Sequence, residues 1–205
     1  MSELTCNQVS ESAGKMVGKS ADKKSFLSTK EITVIAMMVA FIAVASQVVV
    51  PFGPVPFTLQ TMAVFIVSYW LGFKRGVIAV ASYIILGAIG CPVFAQMSGG
   101  IGVIVGSTGG FIIGFIIIAI AVGGITSKIK SDNQLINIVI AVVSMLIGDV
   151  LCFSVGTVQF MFVTNMSLKL ALTYCVIPFI VPDLIKMVVA TIFVNRVKKY
   201  ARFFD

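Results

Sequence analysis

Six apolar stretches, separated by short polar or Gly- and Pro-rich breaks, fill most of this chain from residue 31 onward. A helix needs roughly 20 apolar residues to cross a bilayer. Of the 205 residues, 59% are hydrophobic, and the mean hydropathy is +1.09, which is more apolar surface than a soluble domain of this length can bury. The sequence therefore predicts an all-α integral membrane protein with six transmembrane helices, at residues 31–50, 57–73, 75–90, 109–127, 134–157 and 170–195.

The Lys and Arg residues are concentrated in alternate breaks between the apolar stretches and at the two ends of the chain. The formal net charge is +7, and most Lys and Arg residues lie before the first stretch, between the second and third, between the fourth and fifth, and after the sixth. Because cytoplasmic loops of membrane proteins carry an excess of Lys and Arg, both termini are predicted to lie in the cytoplasm. Basic residues distributed in this way form no single patch, so nucleic acid is not expected as a partner.

The N-terminal residues 1–30 are polar, rich in Ser and Lys, and lack the apolar core of a signal peptide. We expect a flexible cytoplasmic tail at 1–30 and a membrane domain at 31–205. The chain has no His and no CxxC pair, so neither a metal site nor another cofactor is expected, and the cysteines are interpreted as small buried hydrophobic residues. Since GxxxxGK[ST] is absent, any ATP-driven action must come from a partner.

Three ionisable residues lie within the predicted spans: Asp149, Asp183 and Lys186. Such residues are costly in a membrane and usually face a cavity or one another. Asp183 and Lys186 are three residues apart, so they share one helix face in the outer half of span six. Two interpretations remain open, an internal ion pair that fixes helix packing and a set of ligand contacts. Asp149 is either a further contact at similar depth or a packing residue bonded to Ser or Thr neighbours.

The loop at residues 91–110 carries no charged residue and six glycines. Phe94, Gln96 and Ser98 supply an aromatic face and neutral hydrogen-bonding groups, and Gly99 permits close backbone approach. This inventory favours a Gly-rich outer loop over a pocket for a small organic ligand. The alternative is that the glycines only allow short helices to pack.

The first span contains a stripe of small residues formed by Ala36, Ala40 and Ala43. Small residues four apart allow a second helix to approach closely. The stripe is therefore a candidate docking surface for a partner helix, although most helical bundles contain such pairs.

Several motifs, in order and at close spacing, resemble one family: PVPFTLQT, KRG, LGAIGCPVFA, SGG and TGG. The chain is similar to the BioY family, the biotin-specific substrate-binding components of energy-coupling factor (ECF) transporters, from about residue 31 onward. The segment IPFIVPDLIKM resembles the family's motif that supplies Asp183 and Lys186, with Pro182 in place of the usual Gly. Phe111 stands where a Tyr often follows the two glycines.

This resemblance implies a function and partners. The family's members bind biotin with high affinity from outside, have no ATPase of their own, and dock through the first helix onto a transmembrane coupling subunit bound to two ATPases. It also implies that Asp183 accepts a hydrogen bond from the ureido group, while Lys186 either keeps Asp183 ionised or contacts the ligand carboxylate. Thr58 and Gln60, on the first outer loop, would form a lid, and the alternative for both residues is capping of span two.

The expected function is therefore high-affinity biotin binding and uptake in a prokaryotic cell membrane. The alternative from the residues alone is a transporter or channel for another small organic solute. A membrane-embedded enzyme is disfavoured because the spans hold no His and only two acids.

Overall fold

The structure is a computed structural model that describes residues 28–50, 56–129 and 131–201. The predicted tail therefore lies outside the described residues except for its last three. The described part is predominantly helical, with one small antiparallel pair formed by β1 (Val49–Val50) and β2 (Phe57–Thr58). The helices are α1 (Thr29–Ser46), α2 (Gln60–Ile89), α3 (Ile101–Val105), α4 (Gly109–Lys128), α5 (Gln134–Thr164), α6 (Leu168–Cys175) and α7 (Ile177–Ala201), with a 3-10 turn at Ala95–Met97.

The first turn of α1 follows a local capping arrangement. The backbone N–H of Ser28 donates to the Glu31 carboxylate at 2.9 Å, and the Ile32 N–H donates to the Ser28 carbonyl at 3.0 Å. The sequence Ser-Thr-Lys-Glu thus supplies half of a capping box, and the Glu31 charge lies near the helix N-terminus, where an anion is favourable.

Helix α2 folds back on itself at Gly72. This residue has φ 73° and ψ −168°, a conformation that is open essentially only to glycine. The side-chain amide of Gln60 donates to the Tyr83 hydroxyl at 2.7 Å, and Gly76 lies against the backbone of Ser68. In a straight helix Gln60 and Tyr83 would be about 34 Å apart. The two halves therefore run antiparallel and form the predicted second and third spans.

The protein is a multi-pass membrane protein with six membrane helices. Five helical segments among the described residues are long and apolar enough to cross a membrane, and the folded α2 supplies two passes. Helices α4 and α5 pack most closely, because Gly110 and Gly114 leave room for the α5 residues Gly156 and Cys152.

Some predicted span boundaries were wrong. Helix α1 ends at Ser46, not at 50, because the chain then turns into β1. Helix α5 runs to Thr164, not to 157, because residues 158–164 include no Gly or Pro. Asn165, in the left-handed conformation at φ 53°, then ends the helix. The sixth span is divided at Val176 into α6 and α7, because Pro178 has no N–H to continue the helix.

The helix bundle has two chemically different ends. The turn at Gly72 lies against Gly123 near the end of α4, so Lys74, Arg75 and Lys128 lie towards one end. The starts of α2 and α4, together with the loop at 91–108, lie at the other end. This second end holds the candidate site.

Candidate ligand-binding site

A cavity of about 320 Å³ lies between the loops at this end and the helices α4, α5, α6 and α7. Its volume is within the range of small-molecule sites. Of the predicted site residues, the cavity is lined by Thr58, Gln60, Phe94, Gln96, Ser98, Asp149, Asp183 and Lys186.

The charged part of the cavity lies on α7. The Lys186 ammonium donates to the Asp183 carboxylate at 2.7 Å, and these two residues are only 5% and 2% exposed. The Lys186 Nζ also lies 4.0 Å from the centroid of the Phe57 ring, a cation–π contact. Helix α7 continues through Pro182, so the substitution of Pro for the family's Gly leaves both charged residues on one face. The ion pair that was one of the two open interpretations is therefore formed.

Asp149, on α5, lines the same cavity and is 5% exposed. Within the described residues its carboxyl group has no hydrogen-bond or ion-pair partner, so of the two alternatives for Asp149 the bond to a Ser or Thr neighbour is not formed. A buried polar group without a partner costs free energy. The cavity thus holds one paired carboxylate and one carboxylate available to a ligand donor.

An aromatic wall covers another side of the cavity. The Phe57 and Phe179 rings stack with centroids 6.2 Å apart, Phe153 lies 6.3 Å from Phe179, and Phe111 meets Phe153 edge to face at 6.1 Å. Sequence reasoning missed Phe153 and Phe179. Helical periodicity could have identified both residues. Phe153 follows Asp149 by four residues and Phe179 precedes Asp183 by four, so each Phe lies on the same helix face as the neighbouring Asp.

The loop at residues 91–108 forms one wall of the cavity, called the loop wall below, and Phe94 lies at its base. Its side chain is 1% exposed and meets the Tyr83 ring edge to face at a centroid distance of 5.6 Å. The tip of the Phe94 ring lies against Gly87, where a Cβ would overlap the ring. The Tyr83 hydroxyl accepts from Gln60 and donates to the Val93 carbonyl at 2.8 Å. The second half of α2 therefore fixes the loop from beneath.

Two glutamines outside α2 also hold this loop, and sequence reasoning missed both. The Gln47 side chain, just after α1, bonds to the backbone of Phe94 and Met97. The Gln159 amide, on α5, donates to the carbonyls of Ile104 at 2.7 Å and Gly106 at 2.9 Å. Since these partners are backbone groups distant in sequence, no sequence pattern identifies them.

Three predictions about loop residues need correction. Gly99 does not line the cavity, because it packs against the carbonyl of Cys91, where a Cβ would overlap. Gln60 is not in a loop but is the first residue of α2, buried and bonded to Tyr83. Thr58 lies in β2, and α2 has Leu59 at its N-cap with no side-chain cap bond, so the capping alternative is wrong for both Thr58 and Gln60.

The predicted docking stripe lies on α1. Ala36 and Ala40 are exposed and Ala43 is half-buried, while the neighbouring face of the helix buries Ile35, Met38, Val39, Ile42 and Ser46. The stripe is therefore accessible from outside the bundle.

Comparisons with known proteins agree with this architecture. A solved structure, the S-component for biotin from an ECF-type ABC transporter, matches with a TM-score of 0.75 and 31% identity, over 83% of this chain and 91% of the other. The biotin transporter BioY of Thermotoga maritima is 39% identical over 160 residues, covering 78% of this chain and 90% of the relative. The probable biotin transporter BioY of Pyrococcus horikoshii is 35% identical over 84% of this chain and 98% of the relative.

A model of the BioY family matches residues 18–203, which is most of the chain. The match continues through the cavity, including the residues on α5 and α7 that carry its charges. This chain belongs to the BioY family.

Proposed function

We propose that this protein binds biotin in the cavity and acts as the substrate-binding S component of an ECF transporter for biotin uptake. The names of its relatives and of the matching solved structure support this assignment. Biotin combines a cyclic urea, an apolar sulfur-containing ring and a valerate chain. Its recognition therefore needs acceptors for two N–H groups, an apolar wall and donors for a carboxylate.

The observation that carries the proposal is the pairing of buried acids with an aromatic wall. Asp183 is held by Lys186, Asp149 has no partner among the described residues, and the rings of Phe153 and Phe179 lie beside them. Among side chains, a carboxylate is the strongest acceptor for a hydrogen bond from a neutral N–H group. The ureido N–H groups are thus expected to donate to Asp183 and Asp149, with Lys186 keeping Asp183 ionised.

The direction of the ligand follows from electrostatics. The Lys186 ammonium, the cation among the residues that line the cavity, is already paired with Asp183, so the valerate carboxylate would lie unpaired beside the Asp149 acid, which is unfavourable in a poorly solvated cavity. The loop side of the cavity offers the neutral groups of Thr58, Gln60, Gln96 and Ser98. We therefore place the ureido ring between the acids and the carboxylate towards the loops.

The proposed location is the cytoplasmic membrane of a prokaryote, with both termini in the cytoplasm. Lys74, Arg75 and Lys128 lie towards the end of the bundle opposite the cavity. With the positive end inside, the cavity faces the exterior, as uptake requires.

The proposed partners are a transmembrane coupling subunit and two ATPase subunits. The exposed Ala36 and Ala40 and the half-buried Ala43 give α1 a face on which another helix can pack closely within the bilayer. The S component itself performs no covalent chemistry and uses no cofactor in this proposal, and the energy comes from ATP hydrolysis by the partner subunits.

Ligand-induced stabilisation tests the proposal. At a hundredfold excess over the dissociation constant, biotin is expected to stabilise the purified protein by about 2.7 kcal/mol. Lipoate, which has a sulfur ring and a valerate chain but no urea, is the matched control and should stabilise it far less. Equal stabilisation by both would contradict recognition of the ureido group, and no stabilisation by biotin would favour another small solute.

A further inference from the structure

The Gln47 side chain joins α1 to the loop that walls the cavity. Its Oε1 accepts from the Met97 N–H at 2.9 Å, and its Nε2 lies 3.1 Å from the Phe94 carbonyl. The same Nε2 lies 2.8 Å from the Ser46 hydroxyl and 3.1 Å from the Ala43 carbonyl. One amide thus connects the last turn of the helix to both ends of the short segment 94–97.

That segment has a backbone conformation that needs support. Gln96 and Met97 have φ values of 59° and 55°, in the left-handed region that residues other than glycine rarely adopt. Two consecutive residues in this region cost free energy unless the surroundings hold them. From within, the turn is closed by the short bridge between Phe94 and Ser98 and by the Ser98 N–H and hydroxyl, which both donate to the Ala95 carbonyl.

The orientation of the cavity wall depends on this turn. Phe94, Gln96 and Ser98 all line the cavity, and the first and last are the bridge partners on either side of the left-handed pair. Met97, by contrast, is 68% exposed, so its own side chain contributes little to holding the turn. Among the described residues, Gln47 is the one whose side chain accepts a hydrogen bond from the Met97 N–H.

We propose that Gln47 is a positioning residue for ligand binding, which fixes the left-handed turn at Gln96 and Met97 and so keeps the loop wall closed over the ligand. The proposal rests on biotin binding in the cavity as proposed above. Gln47 does not line the cavity, so it acts through the loop. Because it also bonds to α1, the wall is tied directly to the helix that carries the docking face.

The first test uses the unmodified, ligand-free protein. Residue-resolved hydrogen exchange should show the Met97 amide protected although its side chain is exposed. Exchange at the rate of an unbonded loop amide would overturn the proposal. Since no ligand is involved, this test holds independently of the identity of the ligand.

The second test removes the hydrogen bonds at constant side-chain length. Gln47→Met is expected to release biotin about tenfold faster, the effect of losing roughly one or two neutral hydrogen bonds. It should also speed exchange at residues 94–98 while α4 and α5 exchange as in the unmodified protein. Gln134→Met, the same change at an exposed site at the start of α5, is the control and should leave the release rate unchanged.

Gln47→Glu provides a partial rescue, since one carboxylate oxygen can still accept from Met97 but cannot donate to Phe94. It should keep the Met97 amide protected and release biotin at a rate between those of the unmodified protein and Gln47→Met. A release rate in Gln47→Met equal to that of Gln134→Met would overturn the proposal. So would faster exchange spread equally over all helices, which indicates general destabilisation. Failure of the unmodified protein to bind biotin would instead refute the proposed function.

Discussion

The contact between Gly87 and Phe94 gives a prediction whose size follows from the structure. A Cβ at position 87 would overlap the Phe94 ring, which is 1% exposed and also meets the Tyr83 ring edge to face. Overpacking of this kind costs about 1–3 kcal/mol, whereas replacing Gly by Ala within a helix gains about 0.5–1 kcal/mol. Gly87→Ala is therefore expected to lower the free energy of unfolding by up to about 2 kcal/mol.

A double-mutant cycle separates the two effects. In a Phe94→Leu background the smaller side chain relieves the overlap, so Gly87→Ala should become neutral or stabilising, with a coupling energy of about 1–3 kcal/mol. Unfolding of the ligand-free protein in mixed detergent micelles provides the free energies. Gly102→Ala, at a position with open space around the Cβ, is the control and should not destabilise. Additive effects within about 0.5 kcal/mol would refute the steric reasoning.

Further predictions concern the helix turn, the acids and the docking face. Gly72→Ala should lower the free energy of unfolding by about 1–3 kcal/mol through its backbone conformation alone, since no atom lies within 4 Å of the added Cβ; unchanged stability in the same micelles would contradict this reason. Asp183→Asn should weaken biotin binding at least about tenfold in calorimetry, because a charged acceptor becomes neutral and Lys186 loses its partner; retained affinity would exclude Asp183 as a contact. Asp149→Asn should weaken biotin binding without lowering ligand-free stability, and a fall in the melting temperature would instead indicate a packing role. Ala40→Leu should leave biotin binding intact but abolish uptake in proteoliposomes with the partner subunits, and normal uptake would remove α1 as the docking surface.

Much of the fold follows from apolar length and breaker residues. The six spans could be predicted because a bilayer demands long apolar helices, and the sequence places the turn between the second and third at Phe73–Gly76, next to the observed break at Gly72. The exact ends could not. Apolar length does not fix where a helix stops: α5 continues to Thr164, where Asn165 ends it, and the break at Val176 comes from Pro178.

The charged residues of the candidate site could be predicted from the sequence, whereas most of its uncharged residues could not. Asp149, Asp183 and Lys186 are conspicuous because ionisable residues are rare in membrane helices, and they line one cavity. Gln47 and Gln159 have no such signal, since they act on backbone groups far away in sequence. Gly99 misled because a glycine in a loop fits both close ligand approach and close chain packing, and here it packs against Cys91.

Titration calorimetry of biotin into the purified chain, without partner subunits, tests the central claim most directly. The cavity, with its paired acid and its available acid, predicts one biotin per chain and tight binding that is lost or strongly weakened in Asp183→Asn. If a chain that is shown to be folded by a cooperative thermal unfolding transition gives no heat of binding, the assignment of the cavity to biotin is contradicted. Equally tight binding by Asp183→Asn would contradict the role of the ion pair.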